Sequence, residues 1–216
     1  MIYTPDSIHA FLFDLDGTLL DSREVYWRAS VEAFRSVLKK DPPPGALDQI
    51  MRMTTDDFLD LYAAGDQREA LGMAIQESLE RLFPQAKLFS GMEVVLPALK
   101  AAGMRTAVVT SQSRAETEAS RQVIRVDAWI DVWVCADDVA HPKPDPEPIR
   151  TALARLRVAP GEAVMIGDTS FDLLSGRAAG TKTGLACWGA ANVQDLAELK
   201  PDFLFSRPED IPILVH

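Results

Sequence analysis

The feature that most constrains the fold is a recurrence of short, almost wholly apolar runs, each stopping abruptly at a polar or acidic cluster. Ala10-Phe11-Leu12-Phe13 is the first and ends in Asp14. Further runs occupy residues 106–109, 130–135, 163–166 and 183–187, and Asp202-Phe203-Leu204-Phe205 is a candidate for the last. Runs of this length without polar alternation suit strands buried on both faces, the condition of a parallel sheet. Helix-period patterns lie between them at 93–101, 114–124, 146–156 and 171–179, with Gly103 and Gly180 placed as C-terminal stops. The alternation predicts an α/β fold, a Rossmann-like doubly wound parallel sheet. In such sheets ligand chemistry gathers beyond the carboxyl ends of the strands, so the polar clusters should share one site.

Residues 21–88 break the alternation, with helical patterns and no convincing strand. They read as a small inserted α-helical cap domain, leaving a discontinuous core of residues 1–20 and 89–216. Asp21-x-x-Glu24 has the form of a capping box for a first helix whose face carries Tyr26, Ser30, Ala33, Phe34, Val37 and Leu38. The three consecutive prolines within 39–45 must break that helix, and Leu71, Ile75, Leu79 and Leu82 mark a last one before Pro84.

Composition excludes several functions. A net charge of −10 argues against tracking a nucleic-acid backbone or an anionic membrane surface, so neither nucleic acid nor membrane is an expected partner. Cys135 and Cys187 lie in apolar stretches and read as free thiols in a reducing compartment. The start lacks the pattern of a signal peptide and no run reaches bilayer length, so a cytoplasmic location is expected. A monomer or weak homodimer is the expected state. His9, His141 and His216 have no ligand spacing, which leaves no zinc site or histidine mechanism.

Asp14-Leu15-Asp16-Gly17-Thr18 sets two carboxylates just past the first strand. Carboxylates sharing a small volume raise each other's pKa unless a cation sits between them, so the pair suggests a metal ion. Hard oxygen donors with room for water and phosphate suit Mg²⁺ better than zinc. Gly17 lets the backbone approach a ligand, and Thr18 is expected to hydrogen-bond back onto the turn. Leu19 and Leu20 stand where a calcium loop would need oxygen ligands.

Three later clusters supply what phosphoryl transfer to a carboxylate requires. Thr110-Ser111 is expected to open the following helix with hydroxyls and N–H groups that cradle phosphate oxygens. Lys143 is held between Pro142 and Pro144. In Gly167-Asp168-Thr169-Ser170-Phe171-Asp172, Asp168 is the expected metal ligand with Asp14 and Asp16. Asp172 is placed to orient Lys143 or a metal-bound water. Singly, these segments read as well as a turn, a helix cap and an exposed lysine; their combination favours chemistry.

Together, Asp14-x-Asp16-Gly17-Thr18, Thr110, Lys143 in Lys-Pro-Asp-Pro and Gly167-Asp168-x-x-x-Asp172 resemble the four ordered motifs of the haloacid dehalogenase superfamily. The helical insertion resembles its cap, and Cys187-Trp188-Gly189 with Pro201-Asp202-Phe203 is similar to the phosphoglycolate-phosphatase-like subgroup. The resemblance implies that Asp14 attacks phosphorus while Asp16 protonates the leaving oxygen and then deprotonates water. It implies Mg²⁺ held by the Asp14 carboxylate, the Asp16 backbone carbonyl and Asp168, with Thr110 and Lys143 neutralising phosphoryl oxygens.

The expected activity is therefore hydrolysis of a small phosphomonoester, phosphoglycolate-like, through an aspartyl-phosphate, with a small phosphorylated metabolite as partner. A phosphomutase of the β-phosphoglucomutase kind and a pyrophosphatase share the same motifs. A non-catalytic binding protein would not need them all. The cap, closing over the site, is expected to set specificity, with Arg28, Arg52 and Thr54 as candidate substrate contacts.

Overall fold

A computed structural model describes residues 8–50 and 55–214. Its first half runs β1 (Ala10–Phe13), β2 (Leu20–Asp21), α1 (Arg23–Ala33), α2 (Ala46–Ile50), α3 (Thr55–Tyr62), α4 (Asp66–Leu82), β3 (Lys87–Leu88) and α5 (Met92–Ala101). There follow β4 (Arg105–Val109), α6 (Arg114–Ile124), β5 (Val132–Val134), α7 (Glu147–Leu156), β6 (Ala163–Gly167), α8 (Ser170–Ala179), β7 (Lys182–Ala186), α9 (Val193–Ala197) and β8 (Phe203–Phe205).

Six strands form one sheet in the order β5-β4-β1-β6-β7-β8, and every neighbouring pair is parallel. The predicted doubly wound α/β sheet is the fold found. Every residue of β1 is buried, as central parallel strands require. Ala10, Leu12, Ala107, Val109, Ala163 and Met165 build a core cluster with Ile149, Ala152, Leu153 and Leu156 of α7. After β1 the chain continues through β4 and β5 on one side and returns through β6, β7 and β8 on the other. The carboxyl end of β1 is thus a switch point, where such sheets bind ligands.

The register sets the height at which the chain leaves each central strand. Phe13 lies opposite both Val108 and Ile166, and the Asp14 N–H donates to the Ile166 carbonyl at 2.9 Å. The polar residues after β1, β4 and β6 therefore emerge side by side.

The chain divides into two compact units, 1–20 with 88–216 and 21–87. The second has its own core of Ala33, Phe34, Ala46, Ile50, Phe58, Leu59, Leu71 and Ile75. Phe34, Phe58 and Tyr62 pack in it with ring centroids 4.9 to 6.2 Å apart. The predicted break after the first helix is present, and its final turn, Phe34–Leu38, is a π-helical turn ending at Lys39 in the left-handed region.

Several local expectations need correction. Asp21 caps no helix: it belongs to β2, and Ser22 precedes α1 without a side-chain cap. The run at 130–135 yields only Val132–Val134 as strand, because β5 is an edge strand paired on one side alone. The strand expected at 183–187 is displaced by one residue, to Lys182–Ala186. Gly180 does end α8, in the left-handed conformation expected of it. Among the described residues, no helix is long and apolar enough to cross a membrane.

Candidate active site

Asp14 leaves the buried end of β1 with its carboxylate almost wholly enclosed. Lys143, from the loop between β5 and α7, donates from Nζ to Asp14 Oδ1 at 2.6 Å, to Asp172 Oδ1 at 2.6 Å and to the Val109 carbonyl at 3.1 Å. Those bonds use all the protons of the ammonium, so this buried charge is fully paired. Asp172 is held in turn: its Oδ2 accepts from the Thr169 N–H at 3.1 Å and the Thr169 hydroxyl at 2.6 Å. This is the capping box of α8, so the helix start that satisfies its own backbone also fixes the carboxylate that grips Lys143.

Asp168, one residue past β6, accepts from the Thr18 hydroxyl at 3.0 Å. Gly17 lies between these chains, with φ of +78°, and a Cβ there would overlap the Asp168 carboxylate. The turn itself closes through the Leu15 carbonyl, which accepts from Leu19 N at 2.9 Å and Leu20 N at 2.8 Å. From outside, the Trp188 indole donates to the Thr18 carbonyl at 3.0 Å, and Gly189 lies against the Gly17 carbonyl so closely that a Cβ would overlap it.

Asp14, Asp168 and Asp172 each offer a carboxylate oxygen, and these lie within 4.8 Å of one another. Burial, followed by repulsion from Asp172, pushes the Asp14 pKa up to about 7 despite the opposing pull of Lys143. Burial, with Asp14 and Asp172 adding to it, likewise pushes Asp168 well above the carboxylate range. Burial alone would lower Lys143, but the neighbouring Asp14 and Asp172 outweigh it and raise its pKa. The donor set is hard, anionic and short of positive charge, which fits a small divalent cation. Both Asp172 oxygens already accept hydrogen bonds, so Asp14 and Asp168 are the better-placed ligands. Oδ2 of the Asp16 carboxylate accepts from Gln112 Nε2 at 2.7 Å, and Asp16 is not among the three carboxylates that converge.

The geometry departs from the sequence expectations in other places. Thr18 does not bond back onto its turn with its hydroxyl; it reaches Asp168 because the turn is already closed by backbone. Thr110 and Ser111 do not open α6: Ser113 caps it, in a capping box with Glu116. Thr110 is buried, and its hydroxyl oxygen accepts from Gln112 N at 3.0 Å, whereas Ser111 is exposed. Arg28 is exposed and donates to Gln85 at 2.7 Å, within its own unit. Arg52 and Thr54 lie outside the described residues.

Gln112 is a site residue that sequence reasoning misses, and nothing in local sequence marks it. Trp188 and Gly189 belong to a segment whose resemblance to the subgroup is legible in sequence, but their contact with the Gly17–Thr18 turn is not.

Fold and site together define a doubly wound parallel sheet with a cluster of buried carboxylates at its switch point. Residues 11–186 match the family model of haloacid dehalogenase-like hydrolases, and the chain belongs to that family. It is 34% identical to a Bacillus velezensis protein named pyrophosphatase PpaX, over 96% of each chain. A provisionally assigned phosphoglycolate phosphatase from Lactobacillus plantarum has a similar structure, with TM-score 0.83 and 29% identity over 96% of this chain and 99% of that one. A haloacid dehalogenase-like protein of Streptococcus pneumoniae shares the fold with TM-score 0.83 at 23% identity, covering 97% and 99%. The protein is thus an enzyme of the phosphatase and hydrolase type.

Proposed function

We propose that the protein is a Mg²⁺-dependent phosphohydrolase that carries its substrate's phosphoryl group on Asp14 as an aspartyl-phosphate. The observation that carries this reading is the burial of Asp14 at the end of β1, gripped on one oxygen by Lys143 at 2.6 Å and flanked by Asp168.

Asp14 attacks phosphorus and the phosphorus–oxygen bond to the leaving group breaks. Asp16 gives its proton to the departing oxygen, then takes one from the water that attacks the aspartyl-phosphate, releasing phosphate and restoring Asp14. Lys143 and the segment at Thr110 face the charge on the phosphoryl oxygens. Asp172 holds Lys143, and Thr18 holds Asp168. Bound Mg²⁺, held by Asp14, Asp168 and the Asp16 carbonyl, would neutralise the carboxylates and the phosphoryl oxygens. With an Asp14 pKa near 7, the nucleophile is partly protonated at neutral pH without such a cation, which supports the requirement.

The substrate class is a small phosphomonoester. A second reading, inorganic pyrophosphate, is supported by the relative named pyrophosphatase at 34% identity. The same chemistry serves both, since Asp16 then protonates a phosphate oxygen. The test is phosphate release from phosphoglycolate, sugar phosphates, nucleotides and pyrophosphate, with Mg²⁺ or with chelator. Mg²⁺-dependent release lost in Asp14→Asn and slowed about 10²- to 10⁴-fold in Asp16→Asn is the expected result. Interconversion of sugar phosphates without phosphate release would replace the hydrolase with a mutase.

A further inference from the structure

We infer that Gln112 is a positioning residue for Asp16: its carboxamide holds Oδ2 of the acid–base carboxylate, and Ser120 anchors the other end of the amide. The inference rests on the phosphohydrolase reading and adds to it a residue outside its motifs.

Gln112 is 7% exposed, and each of its polar groups has a partner. Its N–H donates to Thr110 Oγ1 at 3.0 Å and its carbonyl accepts from Ala136 N at 2.9 Å, which pins the backbone between the ends of β4 and β5. Its Nε2 donates to Asp16 Oδ2 at 2.7 Å, and its Oε1 accepts from the Ser120 hydroxyl at 2.9 Å.

Turned the other way, the amide would press its carbonyl oxygen on a carboxylate, leaving Nε2 toward Ser120. Ser120 is fully buried in α6, and the other acceptor near its hydroxyl is the Glu116 carbonyl at 3.2 Å, a longer contact than Gln112 Oε1. The Ser113–Glu116 capping box fixes the start of that helix. A chain of held groups thus runs from α6 through Ser120 and Gln112 to Asp16.

A general acid must point its proton at the departing oxygen, so its carboxylate has to be held in orientation. Gln112 supplies one such restraint on Oδ2 from a different strand end. It touches neither phosphorus nor the leaving group, so up to departure of the leaving group its loss should be felt only where Asp16 has a proton to deliver.

The experiment compares kcat/KM, which reports steps up to departure of the leaving group, for an alkyl phosphate and for p-nitrophenyl phosphate. The nitrophenolate leaves without a proton; the alkoxide does not. Gln112→Leu, which keeps volume and removes the amide, should lower kcat/KM for the alkyl phosphate about tenfold or more, while p-nitrophenyl phosphate stays within about threefold. Ser120→Ala, which leaves the amide in place but unanchored, should shift the same ratio in the same direction, and it reads the ratio should Gln112→Leu not fold. Gln112→Glu, similar in shape but charged, should do no better than Gln112→Leu.

Equal losses on both substrates, no loss, or full activity in Gln112→Glu would overturn the inference while leaving Asp14-dependent hydrolysis intact. Absence of Asp14-dependent phosphate release in the wild type would instead overturn the reading beneath it.

Discussion

Two residue-scale features decide how well this site tolerates change. Gly189 abuts the Gly17 carbonyl, a backbone atom that cannot swing aside as a side chain would. In Gly189→Ala the Asp14–Thr18 turn must shift, and displacements near 1 Å at reacting groups cost about 10²-fold in rate. The variant should lose activity on that scale and unfold at lower temperature, read by phosphate release and calorimetry. Lys143 poses the opposite problem, since it is the cation between Asp14 and Asp172. Lys143→Met leaves two buried carboxylates facing each other, a loss of about 3–5 kcal/mol when both stay ionised. Protonation relieves the repulsion, so urea denaturation should show a larger destabilisation at pH 8 than at pH 5.

At the scale of elements, the helix starts near the site are not equivalent. Both α6 and α8 open with a reciprocal capping box, Ser113 with Glu116 and Thr169 with Asp172. The first is a stability device on an exposed surface, and Ser113→Ala should cost about 1 kcal/mol in chemical denaturation. The second also holds the carboxylate that grips Lys143. Thr169→Val should therefore cost similar stability and lower kcat as well. A drop in kcat no larger than that of Ser113→Ala would show that Asp172 keeps its orientation without the cap.

For the whole molecule, the buried carboxylates couple cation binding to folding. Asp14 titrates near 7 in the folded metal-free protein, against 3.8 ordinarily, because burial and then Asp172 oppose its charge. Between those values the folded chain holds a proton on Asp14 that the unfolded chain does not, so the contribution of Asp14 to stability falls as pH rises from about 4 to about 7. A divalent cation replaces that proton and stabilises the ionised form, with greater effect where fewer protons compete. The rise in Tm on adding Mg²⁺ should be larger at pH 8 than at pH 5; an equal rise at both would place the cation away from Asp14.

Apolar runs stopping at Asp14, at Thr110 and at Gly167-Asp168 were enough to read the parallel sheet, its layers and the end of it where polar residues gather. Burial on both faces writes itself into local composition. The shortness of β5 was not legible, because its apolar residues look alike whether one neighbour or two will pair with them. Nor were the partners of the site residues. Thr18 meets Asp168 across 150 positions, Gln112 meets Asp16 across 96, and Trp188 meets Thr18 across 170. Periodicity and capping act over a turn or a strand, so the sequence by itself determined which residues stand at strand ends. Which of them touch depends on strand order and on the packing of helices against the sheet, and only the tertiary structure decided that.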